Sequence, residues 1–90
     1  MNILAEDQRL IAEKFSLAGE GGRFQNLDFY LGKEGSPIIR GIIGYVDCKI
    51  VDIIKGGDHT IFMGEAIDID AEEKQPLLYL NRKYVKLVLE

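Results

Sequence analysis

The sequence predicts a mainly β domain with a single N-terminal helix and antiparallel strands. Three observations carry this expectation. Apolar residues recur at helical spacing only up to residue 18. From Ile38 onward the apolar period changes to two, the spacing of a half-buried strand. Between two such stretches lies Lys55-Gly56-Gly57-Asp58, whose glycines and aspartate favour a tight reversal of the chain. At 90 residues the chain fits one small domain, of a size that buries only about 60% of its unfolded surface or slightly more.

Residues 5–18 read as the helix. Leu4, Ile11, Ala12, Phe15 and Ala18 fall on one face, and Glu6, Arg9 and Glu13 on the other. Gly19, Gly21 and Gly22 end it. Residues 19–37 form a glycine-rich loop in which Phe24, Leu27, Phe29 and Tyr30 serve as apolar anchors, with room for a short extended piece. A strand over about 38–54 follows, with Val46, Cys48 and Ile50 on one face and Asp47, Lys49 and Asp52 on the other. This places Cys48 among apolar neighbours, as a buried thiol. Past the turn at 55–58, residues 59–69 return as the partner strand. The acidic exit of Asp68, Asp70, Glu72 and Glu73 leads to Pro76. Two short strands, 77–80 and 84–89, flank an Asn81-Arg82-Lys83 turn.

Composition removes several function classes. A net charge of −4, with pI near 4.9, disfavours binding to a phosphate backbone, so no nucleic-acid partner is expected. Arg82, Lys83 and Lys86 make a short basic cluster that reads as a solvated edge. No apolar run reaches 18 residues, and Glu6 and Asp7 stand close to the N-terminus, so neither a membrane span nor a secretory signal is expected. A cytoplasmic protein is the natural expectation. The single cysteine excludes an internal disulfide.

The motifs thin out in the same way. Gly19-Glu20-Gly21-Gly22 follows a helix rather than preceding one, so it lacks the helix N-terminus that a phosphate loop needs. Asp68, Asp70 and Glu72 alternate like calcium ligands without the turn glycine or late glutamate of an EF-hand. One cysteine and one histidine cannot complete a zinc site within the chain. Ser16 and Ser36 have no nucleophile-elbow context. His59, the only histidine, remains. It opens an apolar strand directly after a two-glycine turn, where a titratable ring on rigid structure can face a ligand. The alternative is a strand histidine satisfied by its own backbone surroundings.

Gly56-Gly57-Asp58-His59, followed by an apolar strand containing Gly64, resembles the signature of the flavin reductase-like family, the FMN-binding split barrels. The likeness extends through Asn2-Ile3-Leu4 and Glu6-Asp7-Gln8, then Ala12 and Phe15, which resemble a strand end entering a helix. Ser36-Pro37-Ile38-Ile39 with Tyr45 to Cys48 resembles the central strand, and Pro76-Leu77-Leu78-Tyr79 with Tyr84 the closing strands. These pieces occur in family order over nearly the whole chain. Two positions depart from the pattern. Met1 replaces an apolar strand residue, and Ala5 replaces a helix-capping serine, a loss of about 0.5–2 kcal/mol.

The resemblance implies that the antiparallel strands form part of a split β-barrel. It implies a complete domain that binds FMN or FAD, takes NAD(P)H as co-substrate and reduces flavin. It implies that His59 contacts nicotinamide or flavin as a positioning donor beside Gly57 and Asp58. Tyr79 would lie where the family receives pyridine nucleotide, and Asn2 and Gln8 nearest its flavin edge. A homodimer and a flavin-dependent monooxygenase component are the implied partners. On this alignment the chain enters near the middle of the family domain and corresponds to its C-terminal half. A non-catalytic, self-associating module without the flavin-binding half is therefore the competing expectation, because uncovered strand edges and apolar faces call for another chain.

Overall fold

A computed structural model of the chain describes residues 1–17 and 22–88. Among these residues the fold is mainly β with one helix, in three antiparallel sheets and no closed barrel. In chain order the elements are β1 (Asn2–Ile3), α1 (Arg9–Ser16), β2 (Phe29–Leu31), β3 (Pro37–Ile39), β4 (Gly44–Gly56), β5 (His59–Ala71), β6 (Leu78–Leu80) and β7 (Lys83–Val85).

The principal sheet has the order β1-β4-β5. β1 pairs with the first residues of β4, Asn2 opposite Tyr45 and Ile3 opposite Gly44. β4 and β5, 13 residues each, form a long ribbon closed by Gly57-Asp58. Gly57 has φ +62 while Asp58 is not left-handed. Positive φ at the first loop position alone is the requirement of a type II′ turn, whose twist suits a hairpin. β6 and β7 close differently. Asn81 (φ 52) and Arg82 (φ 63) are both left-handed, as a type I′ turn demands.

Several predicted boundaries shift, each for a local reason. The helix begins at Arg9 instead of residue 5, because Leu4 to Glu6 are drawn into strand-like pairing with 75–77. Ala5 bridges Pro76, Leu77 N–H donates to Leu4 O at 3.1 Å, and Glu6 N–H to Gln75 O at 2.9 Å. The predicted glycine stop at 19 and 21, and position 18 of the helix, lie outside the described residues, as does position 89 of the last strand. The loop predicted over 19–37 contains β2, paired with β3 from Phe29 opposite Ile39 to Leu31 opposite Pro37. The strand predicted as one piece over 38–54 is two. Gly41, at φ +84, turns the chain between β3 and β4, while Arg40 N–H is held by Asp28 O at 3.0 Å.

The core lies at this corner. Ile38, Ile39 and Ile42 are buried, and Leu4, Ile11, Phe15, Leu27 and Tyr45 pack against them. Phe15, Phe24 and Phe29 form an edge-to-face chain with ring centroids 5.2 and 5.3 Å apart, tying the loop to α1. The ribbon beyond Asp47 is a different environment, since every residue from Cys48 to Ile67 is exposed.

The predicted alternation holds along β4, but the face that should be buried has no cover. Val46, Cys48 and Ile50 stand opposite Ile69, Ala66 and Gly64. An extra residue on β5, Ile67, and one on β4, Val51, mark register shifts. After the shift at Val51 the apolar face continues through Ile53 opposite Phe62, and Asp52 keeps to the other side. Cys48 is therefore exposed, not buried as its apolar neighbours suggested. Asp47, expected on the solvated side, is 3% exposed. It sits where the ribbon's other face meets Gly32 and Ile38: a Cβ on Gly32 would lie 3.0 Å from both Asp47 Oδ2 and Ile38 Cδ1.

Candidate functional site

His59 opens β5 at the far end of the ribbon, paired with Gly56. Its side chain is 83% exposed, and Nε2 lies 3.4 Å from Asp58 Oδ1. With both groups in solvent this contact orients the ring weakly. Eleven residue steps along β4 separate Gly56 from Tyr45, which stands opposite Asn2. At about 3.3 Å per residue this places the ring on the order of 35–40 Å from Asn2.

Asn2 and Gln8 have their amides engaged by the backbone. Asn2 Nδ2 donates to Pro37 O at 3.2 Å, and its Oδ1 accepts from Ile39 N–H at 2.9 Å, which locks β3 onto β1. Gln8, 8% exposed, accepts from Ala5 N–H at 2.9 Å and donates to Arg40 O at 2.8 Å. The glutamine side chain thus closes the Ala5–Gln8 turn that leads into α1, of which Gln8 is itself the N-cap residue. Each amide has its oxygen and one N–H engaged by the backbone.

Tyr79 lies on a third part of the molecule. It stands opposite Tyr84 in the closing hairpin, ring centroids 5.0 Å apart and tilted by 54°. Tyr79 is 63% exposed, Tyr84 half-buried, and the Arg9 guanidinium lies 5.2 Å above the Tyr84 ring. Between α1 and this hairpin runs a cleft of about 880 Å³ whose walls include Arg9, Glu13, Tyr79, Arg82, Lys83 and Tyr84. Arg82 and Lys83, two of the three basic residues read as a solvated edge from sequence, thus line this cleft. The signal for this was the two-residue loop at Asn81-Arg82, which brings both sides of the hairpin back over the helix.

A second group missed from sequence sits at the base of the ribbon. Asp47 and Asp68 are directly opposite each other on β4 and β5. Tyr45 donates its hydroxyl to Asp68 Oδ2 at 2.9 Å, and Lys33 Nζ approaches Asp68 Oδ1 at 3.8 Å. The bond to Asp68, then burial and the charges of Asp68, Tyr30 and Asp70, push the Tyr45 phenol up to about 12. Asp47 Oδ2 is buried without a hydrogen-bond partner. Among the described residues no cluster of three or more His, Cys, Asp or Glu side chains could hold a metal ion.

The structure thus brings Gly57, Asp58 and His59 together, and leaves Tyr79 and the Asn2–Gln8 pair elsewhere. A flavin ring needs an enclosed floor and hydrogen-bond donors free to receive it. Here Asn2 and Gln8 each have an oxygen and one N–H taken by the backbone and the histidine stands in solvent, so the described residues alone do not enclose a flavin.

Fold and turn together define a partial antiparallel β domain that presents a histidine from a Gly-Gly-Asp-His hairpin. The chain belongs to the flavin reductase-like domain family, whose model matches residues 1–88. It is 32% identical over 87 residues to the reductase subunit HsaB of a flavin-dependent monooxygenase from Mycobacterium tuberculosis, a match covering 93% of this chain and 46% of that protein. A flavin reductase from Pseudomonas putida is 29% identical over 82 residues, covering 91% and 48%. Among solved structures, the NADH:FAD oxidoreductase of Streptomyces globisporus, in complex with NAD and FAD fragments, superposes with a TM-score of 0.87 at 29% identity. That superposition covers 97% of this chain and 53% of the other. Component B of a nitrilotriacetate monooxygenase from Mycobacterium thermoresistibile gives 0.87 at 30% identity, covering 97% and 50%. The chain spans about half the length of the relatives it matches.

Proposed function

We propose that this chain is part of an NAD(P)H:flavin oxidoreductase, active in a domain of its relatives' full length and supplying reduced flavin to a flavin-dependent monooxygenase component. The observation that supports this reading most is the match over residues 1–88 with the Gly-Gly-Asp-His turn intact. The relatives' names favour it over a non-catalytic module, since they include an NADH-dependent FAD reductase and an NADH-dependent FMN reductase. Bound flavin and nicotinamide would supply the hydride chemistry, while the protein's part is to stack the rings and exclude water. In that assembly His59 acts as a positioning donor, with Gly57 and Asp58 shaping the corner that carries it and Tyr79 near the incoming nucleotide. Asn2 and Gln8, each fixed by backbone bonds, stand nearest the flavin edge in that assembly. Self-association as a homodimer and a cytoplasmic location belong to the same reading. Among the described residues no helix is long and apolar enough to cross a membrane.

The test combines the 90-residue chain with an N-terminal half from a full-length relative, fused or mixed. Flavin fluorescence quenching and NADH oxidation should appear in the combined protein and be absent from the chain alone. His59→Ala should then weaken binding or slow reduction by up to about tenfold, the worth of one hydrogen bond of ~0.5–1.5 kcal/mol. The melting temperature should not change, because the ring supports no core contact. A combined protein that folds yet neither quenches flavin nor oxidises NADH would refute the reading.

A further inference from the structure

We propose that the β2–β3 loop and the base of the ribbon form a calcium site, with Asp47 and Asp68 as its charged ligands. The first argument is an unbalanced pair of charges. Asp47 and Asp68 stand directly opposite each other on β4 and β5, so both carboxylates project from one face of the ribbon. Like charges so placed repel across a Cβ separation of about 4.5–5.5 Å. Asp68 has partners, the Tyr45 hydroxyl on Oδ2 and the Lys33 ammonium facing Oδ1. Asp47 is 3% exposed, and its buried Oδ2 has no hydrogen-bond partner among the described residues. A carboxylate taken out of water is costly unless a positive group compensates it. Lys33 Nζ lies 3.8 Å from Asp68, and the lysine side chain is 77% exposed, too loose a contact to neutralise both acids.

The second argument is the roof. The loop between β2 and β3 covers both acids, Gly32 against Asp47 and Lys33 against Asp68. The point where a Cβ on Gly32 would stand is 3.0 Å from Asp47 Oδ2 and 3.5 Å from the Ser36 carbonyl oxygen. Glycine thus brings the orphaned carboxylate and a backbone carbonyl around one spot that any side chain would crowd. Ser36 O accepts one N–H, from Gly32 at 2.8 Å, and keeps a second lone pair.

The third argument selects the ion. The donors are all oxygens, which suits a hard cation and not zinc or copper. Calcium takes oxygens at about 2.3–2.6 Å in irregular arrays, so one ion spans carboxylate oxygens up to about 5 Å apart. Acids on directly opposite strand positions offer that spacing. Magnesium keeps several waters, for which a site around so buried a carboxylate has little room. The bound ion replaces the Lys33 ammonium beside Asp68, water completes its coordination, and the loop is fastened to the ribbon. With two carboxylates the affinity belongs at the weak end of calcium sites, about 10⁻⁴–10⁻³ M.

The site uses no residue of the flavin or nicotinamide reading, so it is tested without either. Calcium chloride is titrated into the 90-residue chain in about 0.15 M potassium chloride, which screens diffuse attraction to surface acids. The melting temperature should rise saturably, by about 4–8 °C at ten times the dissociation constant. Magnesium should act at least tenfold more weakly. Asp47→Asn should abolish the calcium effect, whereas Glu73→Gln, at an exposed acid, should leave it unchanged. Lys33→Gln removes the competing ammonium and should tighten calcium binding about two- to fivefold, the worth of an exposed ion pair. No rise up to about 10 mM calcium, tenfold above the weakest affinity expected, would overturn the proposal. So would equal calcium responses of wild type and Asp47→Asn, or a loss in Glu73→Gln as large as in Asp47→Asn. If Asp47→Asn does not fold, Lys33→Gln decides: unchanged calcium affinity in that variant overturns the site.

Discussion

Tyr45 shows how one hydrogen bond couples the ribbon's base to pH. Its phenol is pushed up to about 12 by donation to Asp68, so the folded state holds this proton more tightly than the unfolded chain, where tyrosine titrates near 10. The stabilisation is complete below about pH 10 and is lost as pH rises through about 12. Alkaline unfolding monitored by circular dichroism should steepen in that window, and Tyr45→Phe should remove the extra slope while lowering stability at neutral pH. Absorbance at 295 nm should show one of the four tyrosines ionising later than the rest. Glycines at the same level are fixed by contact. A Cβ on Gly44 would lie 2.7 Å from the Asp70 carbonyl oxygen, and one on Gly64 2.9 Å from Cys48 Cβ. Gly44→Ala must displace backbone and Gly64→Ala a side chain, so both should destabilise by about 1–3 kcal/mol, the Gly44 variant more. Equal melting temperatures for wild type and Gly44→Ala would contradict this packing.

The elements were legible in proportion to how local their causes are. The β4–β5 ribbon follows from a period of two around a Gly-Gly-Asp turn, and the closing hairpin from two short apolar runs. The helix start and the β3–β4 break were hidden because their causes are distant. Only the fold brings 75–77 onto Leu4 to Glu6, and Gly41 announces no φ in the sequence. The Val51 shift was hidden for the same reason, since it moves the apolar phase from even to odd positions without any glycine. Of the candidate site, Gly57 to His59 could be grouped from sequence because they are contiguous. The cleft could not, because Arg9 and Arg82 meet only across tertiary structure. The turn itself offers a paired test. Gly56 and Gly57 both have open space where a Cβ would stand, but only Gly57 has a left-handed φ. Gly57→Ala should cost about 1–2 kcal/mol, several degrees in melting temperature for a domain this size, while Gly56→Ala should be nearly silent. Equal effects would mean the turn is not of the type its backbone shows.

At the scale of the whole molecule the dominant fact is surface. The chain exposes 7387 Å², whereas a compact 10.1 kDa monomer exposes about 5,300 Å² by the usual scaling with mass. The excess of roughly 2,000 Å² is what one partner contributes to a large obligate interface. Much of it lies on the ribbon, where Ile50, Ile53, Phe62 and Ile69 are each more than half exposed on one continuous face. Water satisfies the ribbon's edges but not this face, so self-association should stabilise the fold. Melting temperature should therefore fall by about 3–6 °C for each tenfold dilution, taking half of ~1.4 kcal/mol per protomer and the usual stability-to-temperature conversion. Cys48 supplies an independent readout because its thiol sits on the same face. A thiol reagent should label it rapidly in dilute protein and progressively more slowly as concentration rises. Phe62→Asp, at a position 61% exposed in the isolated chain, should abolish the protection without lowering the melting temperature at the dilute limit. A melting temperature and a labelling rate that are both independent of concentration would show that the apolar face stays in water, and that the fold is self-sufficient as a monomer.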